Sequence, residues 1–492
     1  MARKVHVWSA RHSASVEPDR IAVATDDGDR ITYAALVDHA DRIGHALRGA
    51  GPPDELRVST DLRAGPQFFA LALAALKFGF GLFPMNAGHL DPDVTVRMRR
   101  EANTTLHIND GRDGSSGDGR AYDDLVTGRV RSLARPAARA GHLIFATSGT
   151  TGEPTIVDQP RPHHPYKGVA VFDRYSAGRG FGPHVMGNPT YHLGTLGPAL
   201  YALQAGSGVV VAHGWSAGGF DILVRRHSAA SAFLSVDLLT DYVSSQRRGS
   251  GLATLFHGGS ACPPWVKRKA LDVHGPILHE YYGTSEGVIS EISSVEWLAY
   301  PGSVGRPIAG VQVVVQRDGA PVRAGSIGEV AVIPRGAARE GGTVDHQARG
   351  TGDLGYVNQE GYLHVIGRMT RTGGTAEAVV EHRVRSIPGA RDVIAIEESG
   401  LTCLVEAEHG EPAEWAAWVA LVADDVGARL RGVTVLQPGT LERTSTGKIN
   451  RVAARKAIVS GGSRTSAGLS TALAGQRAGK SGVAGCEVGN GR

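Results

Sequence analysis

Eight consecutive residues, Thr147, Ser148, Gly149, Thr150, Thr151, Gly152, Glu153 and Pro154, concentrate hydroxyls and side-chain-free amides in one short segment. Each Ser or Thr offers an O–H, and each glycine lets a backbone N–H approach an anion closely, so the segment can form a concave donor surface for a polyphosphate. The apolar run Leu143, Ile144, Phe145 just before it predicts a strand that fixes where such a loop sits. The residue that follows is the neutral Thr155. Positive charge elsewhere is carried almost wholly by arginine: the lysines are Lys4, Lys77, Lys167, Lys267, Lys269, Lys448, Lys456 and Lys480. One of these few, Lys448, lies in a Ser/Thr/Gly-rich stretch, Arg443 to Arg451.

The elements that must position these residues read as alternating strands and helices, which favours α/β layers. Thr32 can cap a helix with apolar positions Leu36, Ala40, Ile43 and Leu47, ending before Gly51-Pro52-Pro53. A second helix, Phe68 to Lys77, leads into a buried strand at Phe80 to Pro84, and Gly208 to Ala212 reads as another. Val311 to Val315 and Gly328 to Val332 read as paired strands separated by a turn near Asp318-Gly319. Residues 109–120 read as a mobile surface loop, and 460–492 as a disordered tail too poor in large apolar side chains to form a core.

With 492 residues, 41% of them hydrophobic, the chain can bury a large core in two or three domains. A net charge of +4 gives no footprint of a nucleic-acid binder. Cys262, Cys403 and Cys486 are scattered and odd in number, which argues against a disulfide framework. No apolar run reaches membrane-spanning length, and Met1-Ala2-Arg3-Lys4 opens without the apolar core of a secretion signal, so a cytoplasmic protein with no membrane partner is expected.

Several segments, in order, resemble the adenylate-forming (AMP-binding) superfamily, closest in character to acyl-CoA ligases, and the resemblance spans roughly Ile31 to Arg451. The segment Thr147 to Pro154 resembles its phosphate loop. Pro189-Thr190-Tyr191-His192 looks like the aromatic-histidine segment beside the acyl pocket, and Gly258-Gly259-Ser260-Ala261 like the backbone turn against adenine. In Tyr282-Gly283-Thr284-Ser285-Glu286 the resemblance places the tyrosine on adenine, the hydroxyls on phosphate and Glu286 on magnesium. Thr351-Gly352-Asp353, followed by Gly367-Arg368, is similar to the ribose clamp, and Arg443 to Arg451 to the loop carrying the catalytic lysine, here Lys448. The resemblance implies a large adenylate- and acyl-binding domain over 1–367 and a small mobile α+β domain over 368–459. ATP or an acyl-adenylate, Mg2+ and coenzyme A are the implied cofactors, with a small carboxylic acid as substrate and Lys448, Glu286 and His192 as catalytic residues.

Two departures qualify this expectation. The family carries lysine or arginine at Thr155 and aspartate at Thr370, and the segment between Arg368 and Val380-Glu381 is short by about five residues against the family pattern. Loss of a cation near the β- and γ-phosphates implies weak adenylation, with thioesterification as the main activity and a separate enzyme supplying the adenylate. Four alternatives stand beside this. A stand-alone adenylating enzyme could load a carrier-protein thiol. Gly283-Thr284-Ser285-Glu286-Gly287 matches a nucleophile elbow, which would make a serine hydrolase using Ser285. Gly350 to Gly355 matches a dinucleotide fingerprint literally but opens no helix. A non-catalytic nucleotide-binding module is the reading outside enzymes.

Overall fold

Thr32 starts the first long helix as its sequence dictates. Its side-chain oxygen accepts from the Ala35 amide at 3.2 Å, and the helix Tyr33–Leu47 turns Leu36, Ala40, Ile43 and Leu47 into the core. The next helix, Pro66–Phe78, is apolar on nearly every side and correspondingly buried all round. It ends on Gly79, whose φ of +88° is the left-handed conformation that terminates helices cheaply only at glycine. This computed structural model describes residues 9–85, 92–111, 119–127, 141–146, 155–158, 182–187, 190–245, 250–284, 287–334, 348–369, 375–443 and 448–460.

Two sheets sandwich that buried helix region. The larger has nine strands in the order Arg306–Pro307, Gly287–Ser293, Leu278–Thr284, Thr254–Gly258, Ser231–Ser235, His184–Met186, Val209–Val211, Ile21–Thr25, Arg30–Thr32. Its six inner strands, from Leu278–Thr284 to Ile21–Thr25, are parallel. The second has six strands, including Gly81–Pro84 and His142–Ala146, and the main core lies between the two around Phe68, Phe69, Phe80 and Phe256. A five-stranded antiparallel sheet follows, ending in Arg349–Val357 paired with Leu363–Arg368. A three-stranded sheet, Ala390–Glu397, Leu401–Ala407 and Leu430–Leu436, packs with the helices Ala376–Arg385 and Pro412–Asp425 into one small core and with the helix Arg451–Ser460 into another. The result is the expected large mixed α/β N-terminal part and small α+β C-terminal part.

The small part is docked on the helices flanking the large sheet. Trp265 Nε1 donates to the Ala390 carbonyl at 3.1 Å, and Ser244 Oγ to Glu408 at 3.2 Å.

One sequence expectation is met with an addition, and another needs correction. Val311–Arg317 does pair with Gly328–Pro334, but the turn at Asp318-Gly319 first returns the chain as the two-residue strand Ala320–Pro321. Both turn residues take positive φ, +50° and +77°, which folds so tight a hairpin. The loop expected over 109–120 yields its end to a strand, Gly119–Ala121, parallel to Leu106–Asn109, while 112–118 lie outside the described residues. Of the tail expected over 460–492, Ser460 instead closes the helix Arg451–Ser460, and 461–492 lie outside the described residues.

Candidate functional site

The carboxyl ends of the parallel strands Thr254–Gly258 and Leu278–Thr284 bring the predicted adenine residues together, as open α/β sheets do with their ligands. Gly258 must be glycine there, because a Cβ would stand 2.5 Å from the Tyr281 carbonyl oxygen of the neighbouring strand. Gly259, at φ +90°, and the exposed Ser260 carry the backbone away from the sheet with open space beside Gly259.

Strand register sets the next pair. Asp353 and Arg368 face one another across Arg349–Val357 and Leu363–Arg368, and Arg368 Nη1 donates to Asp353 Oδ1 at 3.0 Å and to the Thr351 carbonyl at 2.7 Å. The other carboxylate oxygen, Oδ2, accepts from the Tyr282 hydroxyl at 2.7 Å. Burial, and after it the adjacent Asp353 charge, push the Tyr282 phenol well above its ordinary range, so it stays an O–H donor. The Asp353 backbone is fixed in turn: its N–H donates to Thr351 Oγ1 at 3.1 Å, which itself donates to the Val330 carbonyl at 2.7 Å. Each Asp353 oxygen keeps acceptor capacity after these bonds, which is what vicinal ribose hydroxyls need.

His192 caps the helix Leu193–Gln204 through its backbone, accepting from the Leu196 amide at 2.8 Å. Its ring packs edge-on against Tyr191, with centroids 4.8 Å apart, and its buried Nε2 has no hydrogen-bond partner among the described residues. Burial, and next the Lys448 ammonium, lower its pKa to about 4, so the imidazole is neutral. Lys448 itself is drawn below its ordinary value by burial and then by the Arg368 guanidinium, with Asp353 pulling the other way. The charge of Lys448 is thus felt by His192, and those of Arg368 and Asp353 by Lys448. Gly194 lies beside Phe233: a Cβ there would meet the ring at 3.4 Å, an ordinary contact distance.

Thr147, Ser148, Gly149, Thr150, Thr151 and Gly152 lie outside the described residues, as do Pro189, Ser285, Glu286 and Thr370. Thr155 is described, exposed, at the start of the strand Ile156–Asp158. Gly283 and Thr284 sit at the end of their strand, and Thr284 pairs with Gly287, which opens the antiparallel strand Gly287–Ser293. The described residues on either side of Ser285 and Glu286 thus belong to antiparallel strands, Leu278–Thr284 and Gly287–Ser293, whereas a nucleophile elbow needs a strand running into a helix, and the hydrolase alternative falls. The dinucleotide pattern falls likewise, since Gly350 to Gly355 is itself β-strand.

Sequence reasoning missed the hydrogen bond from Tyr282 to Asp353 and the support from Glu329, whose Oε1 accepts from the Gly352 amide at 3.3 Å. Nothing local signals either, because each joins strands remote in sequence.

The chain belongs to the AMP-binding enzyme family, matched over residues 10–339, and is an acyl-CoA ligase-like member. It is 25% identical over 489 residues to 3-hydroxybenzoate–CoA ligase of Aromatoleum sp. (strain CIB), covering 88% of this chain and 92% of that one. It is 28% identical to salicylyl-CoA synthase / salicylate adenylyltransferase of Streptomyces sp., covering 89% and 84%. Its fold is that of o-succinylbenzoate CoA synthetase from Bacillus subtilis, solved with its acyl-adenylate intermediate, at a TM-score of 0.72, 20% identity and coverage of 91% and 97%.

Proposed function

We propose that this protein is an acid–thiol ligase that joins a carboxylic acid to the thiol of coenzyme A through an acyl-adenylate. The observation that supports this reading is the hydrogen-bonded set of Tyr282, Asp353 and Arg368, with the charge of Lys448 acting on His192 and those of Arg368 and Asp353 acting on Lys448.

In the first step a carboxylate oxygen attacks the α-phosphorus of ATP and the bond to the β-phosphate breaks, releasing pyrophosphate. Two anions must approach, so the protein's task is alignment and charge neutralisation. Asp353 holds the ribose hydroxyls, Gly258 to Ser260 and Tyr282 border adenine, and Lys448 faces the charge that develops. Thr147 to Gly152, with Gly283, Thr284 and Ser285, would hold phosphate. Magnesium, for which Glu286 is the candidate ligand, would supply further neutralisation when bound. His192, neutral and with Nε2 open, borders the acid. In the second step the thiol sulfur attacks the acyl carbon and AMP leaves. The acid is proposed to be aromatic, since two relatives are named for hydroxybenzoates. The boundary between the large and small domains is placed at Gly367/Arg368, and a cytoplasmic location is proposed. Among the described residues no helix is long and apolar enough to cross a membrane.

A finer reading rests on Thr155. Without a cation at that position ATP and pyrophosphate are handled weakly while AMP contacts persist, so thioesterification dominates and a partner enzyme supplies the adenylate. The test incubates the protein with hydroxybenzoates, ATP, magnesium and coenzyme A, and separately with the synthetic acyl-adenylates and coenzyme A, following thioester by mass spectrometry. Faster product from the adenylate supports the finer reading. Comparable rates would identify an ordinary two-step ligase, and no thioester from either would overturn the ligase itself. Replacing coenzyme A by a carrier protein separates the carrier-loading alternative.

A further inference from the structure

Two arginines flank Lys448 in the chain as two feet, Arg443 and Arg451, and each is held by carboxylates of the small domain, of which Glu406 and Glu381 are buried and Asp392 is half-buried. At the first foot, Arg443 Nη1 donates to Asp392 Oδ2 at 3.2 Å and Nη2 to Glu406 Oε2 at 3.0 Å. Glu406 is fully buried, and its other oxygen accepts from the Leu441 amide at 2.6 Å. At the second foot, Arg451 Nη1 donates to Glu381 Oε2 at 2.9 Å, while Glu381 Oε1 accepts from the Ala395 amide at 2.8 Å. Arg385 joins the feet, lying 3.2 Å from Asp392 and 4.0 Å from Glu381. The six side chains form one ladder, Arg451, Glu381, Arg385, Asp392, Arg443, Glu406, in which three cations alternate with three anions.

The described segments that carry the two feet are paired directly. Arg443 bridges Ile449 as an isolated antiparallel pair, and the Asn450 amide donates to the Glu442 carbonyl at 2.7 Å. Burial alone would lower the affinity of Arg443 and Arg451 for their protons, but the carboxylates around them outweigh it and both are held above their ordinary values. Surface ion pairs contribute little, whereas removing one partner of a buried, hydrogen-bonded pair leaves an uncompensated charge that the structure must move to hydrate. Glu381 and Arg385 belong to the helix Ala376–Arg385, the first element after the segment that follows Arg368. The ladder therefore ties the geometry of the lysine loop to the helix that begins the small domain.

We infer that Arg443 and Arg451 are positioning residues for the adenylation step, holding Lys448 at the nucleotide through this carboxylate ladder. The inference rests on the ligase reading, because it assigns Lys448 work only in the step that uses ATP. A displacement of about 1 Å in a reacting group can cost on the order of a hundredfold in rate. Arg451→Gln is accordingly expected to slow thioester formation from acid and ATP by roughly ten- to a hundredfold, with formation from a supplied acyl-adenylate within about threefold of the parent, since that route bypasses Lys448.

The experiment measures both routes in Arg451→Gln, Arg451→Lys and the exchanged pair Arg451→Glu with Glu381→Arg. Alongside, the full protein is labelled with acetic anhydride and the extent at Lys448 is read by mass spectrometry against Lys269. The ladder predicts that Lys448 labels slowly in the parent and approaches Lys269 in Arg451→Gln, and that Arg451→Lys or the exchanged pair recovers part of the protection and of the adenylation rate. Equal slowing of both routes, or unchanged Lys448 labelling, would overturn the inference. Should Arg451→Gln fail to fold, Arg451→Lys decides by the same two readouts. Labelling needs no turnover, so absence of ligase activity in the parent would remove the functional proposal while the positioning of Lys448 is judged on its own.

Discussion

Replacing Asp353 by alanine probes the nucleotide site where its geometry is most fully determined. In the native site the carboxylate takes one hydrogen bond from Tyr282 at 2.7 Å and one from Arg368 at 3.0 Å, and its remaining lone pairs are the ones proposed to accept from ribose. Alanine deletes the acceptor for the ribose hydroxyls and leaves the Tyr282 O–H and the Arg368 guanidinium without it. Hydrogen bonds to a charged acceptor contribute about 1.5–3 kcal/mol each and neutral ones about 0.5–1.5. Much of the loss around Tyr282 and Arg368 is present with or without nucleotide and cancels in a binding measurement, so the expected weakening of AMP binding is about 1–3 kcal/mol. That range is roughly a five- to 150-fold rise in Kd. Tyr282→Phe keeps the acceptor and removes only the bond that orients it, for an expected loss of about 0.5–1.5 kcal/mol. Isothermal calorimetry of AMP with the three proteins gives both values. Unchanged affinity in Asp353→Ala would refute the ribose assignment, and a loss in Tyr282→Phe as large as in Asp353→Ala would refute direct contact by Asp353.

Lys448→Ala should slow turnover from acid and ATP by roughly two to three decades, the scale of one preorganised charge-stabilising donor, while thioester formation from a supplied adenylate changes far less. Because burial and Arg368 lower the Lys448 pKa and Asp353 opposes them, the alkaline limb of kcat/KM for ATP should move to lower pH in Asp353→Asn; an unmoved limb would dissociate that limb from Lys448. Buried, neutral histidines predict acid lability: burial holds His184 at about 3, and burial with the Lys448 charge holds His192 at about 4. The unfolded chain takes up these protons first as pH falls below about 6.5, so stability is full above that value and declines toward about pH 4.5. The decline is on the order of 2–3 kcal/mol for each such histidine, and urea midpoints that stay flat across the window would contradict it. Gly258→Ala drives a methyl group against the Tyr281 carbonyl oxygen and should separate the two strands, lowering both Tm and AMP affinity; wild-type values in both would show that the strands need not approach so closely.

Local chemistry was legible in the sequence, and long-range pairing much less so. Thr32 announced its helix because a cap acts on the amide three residues on, and Asp318-Gly319 announced its turn because both positions need positive φ. The short strands Ala320–Pro321 and Gly119–Ala121 carry no period long enough to detect. In the site, Asp353, Arg368, Tyr282, His192 and Lys448 could be named by resemblance, and the structure gathers them. Their mutual bonds could not be foreseen, since the Tyr282 hydroxyl finds Asp353 across 71 positions of sequence. The arginine feet of the lysine loop were invisible for the same reason: Arg443 and Arg451 meet Glu406 and Glu381, which only the fold brings beneath them.

The central claim, that acid activation passes through an acyl-adenylate, is tested most directly by oxygen transfer. The hydroxybenzoate giving the greatest turnover is labelled with 18O in its carboxyl group and incubated with the protein, ATP, magnesium and coenzyme A, and the nucleotide products are analysed by mass spectrometry. Attack of the carboxylate on the α-phosphorus followed by thiolysis must leave one labelled oxygen in AMP, in proportion to thioester formed. Label in inorganic phosphate with ADP as the product, or thioester formed with unlabelled AMP, would contradict the account.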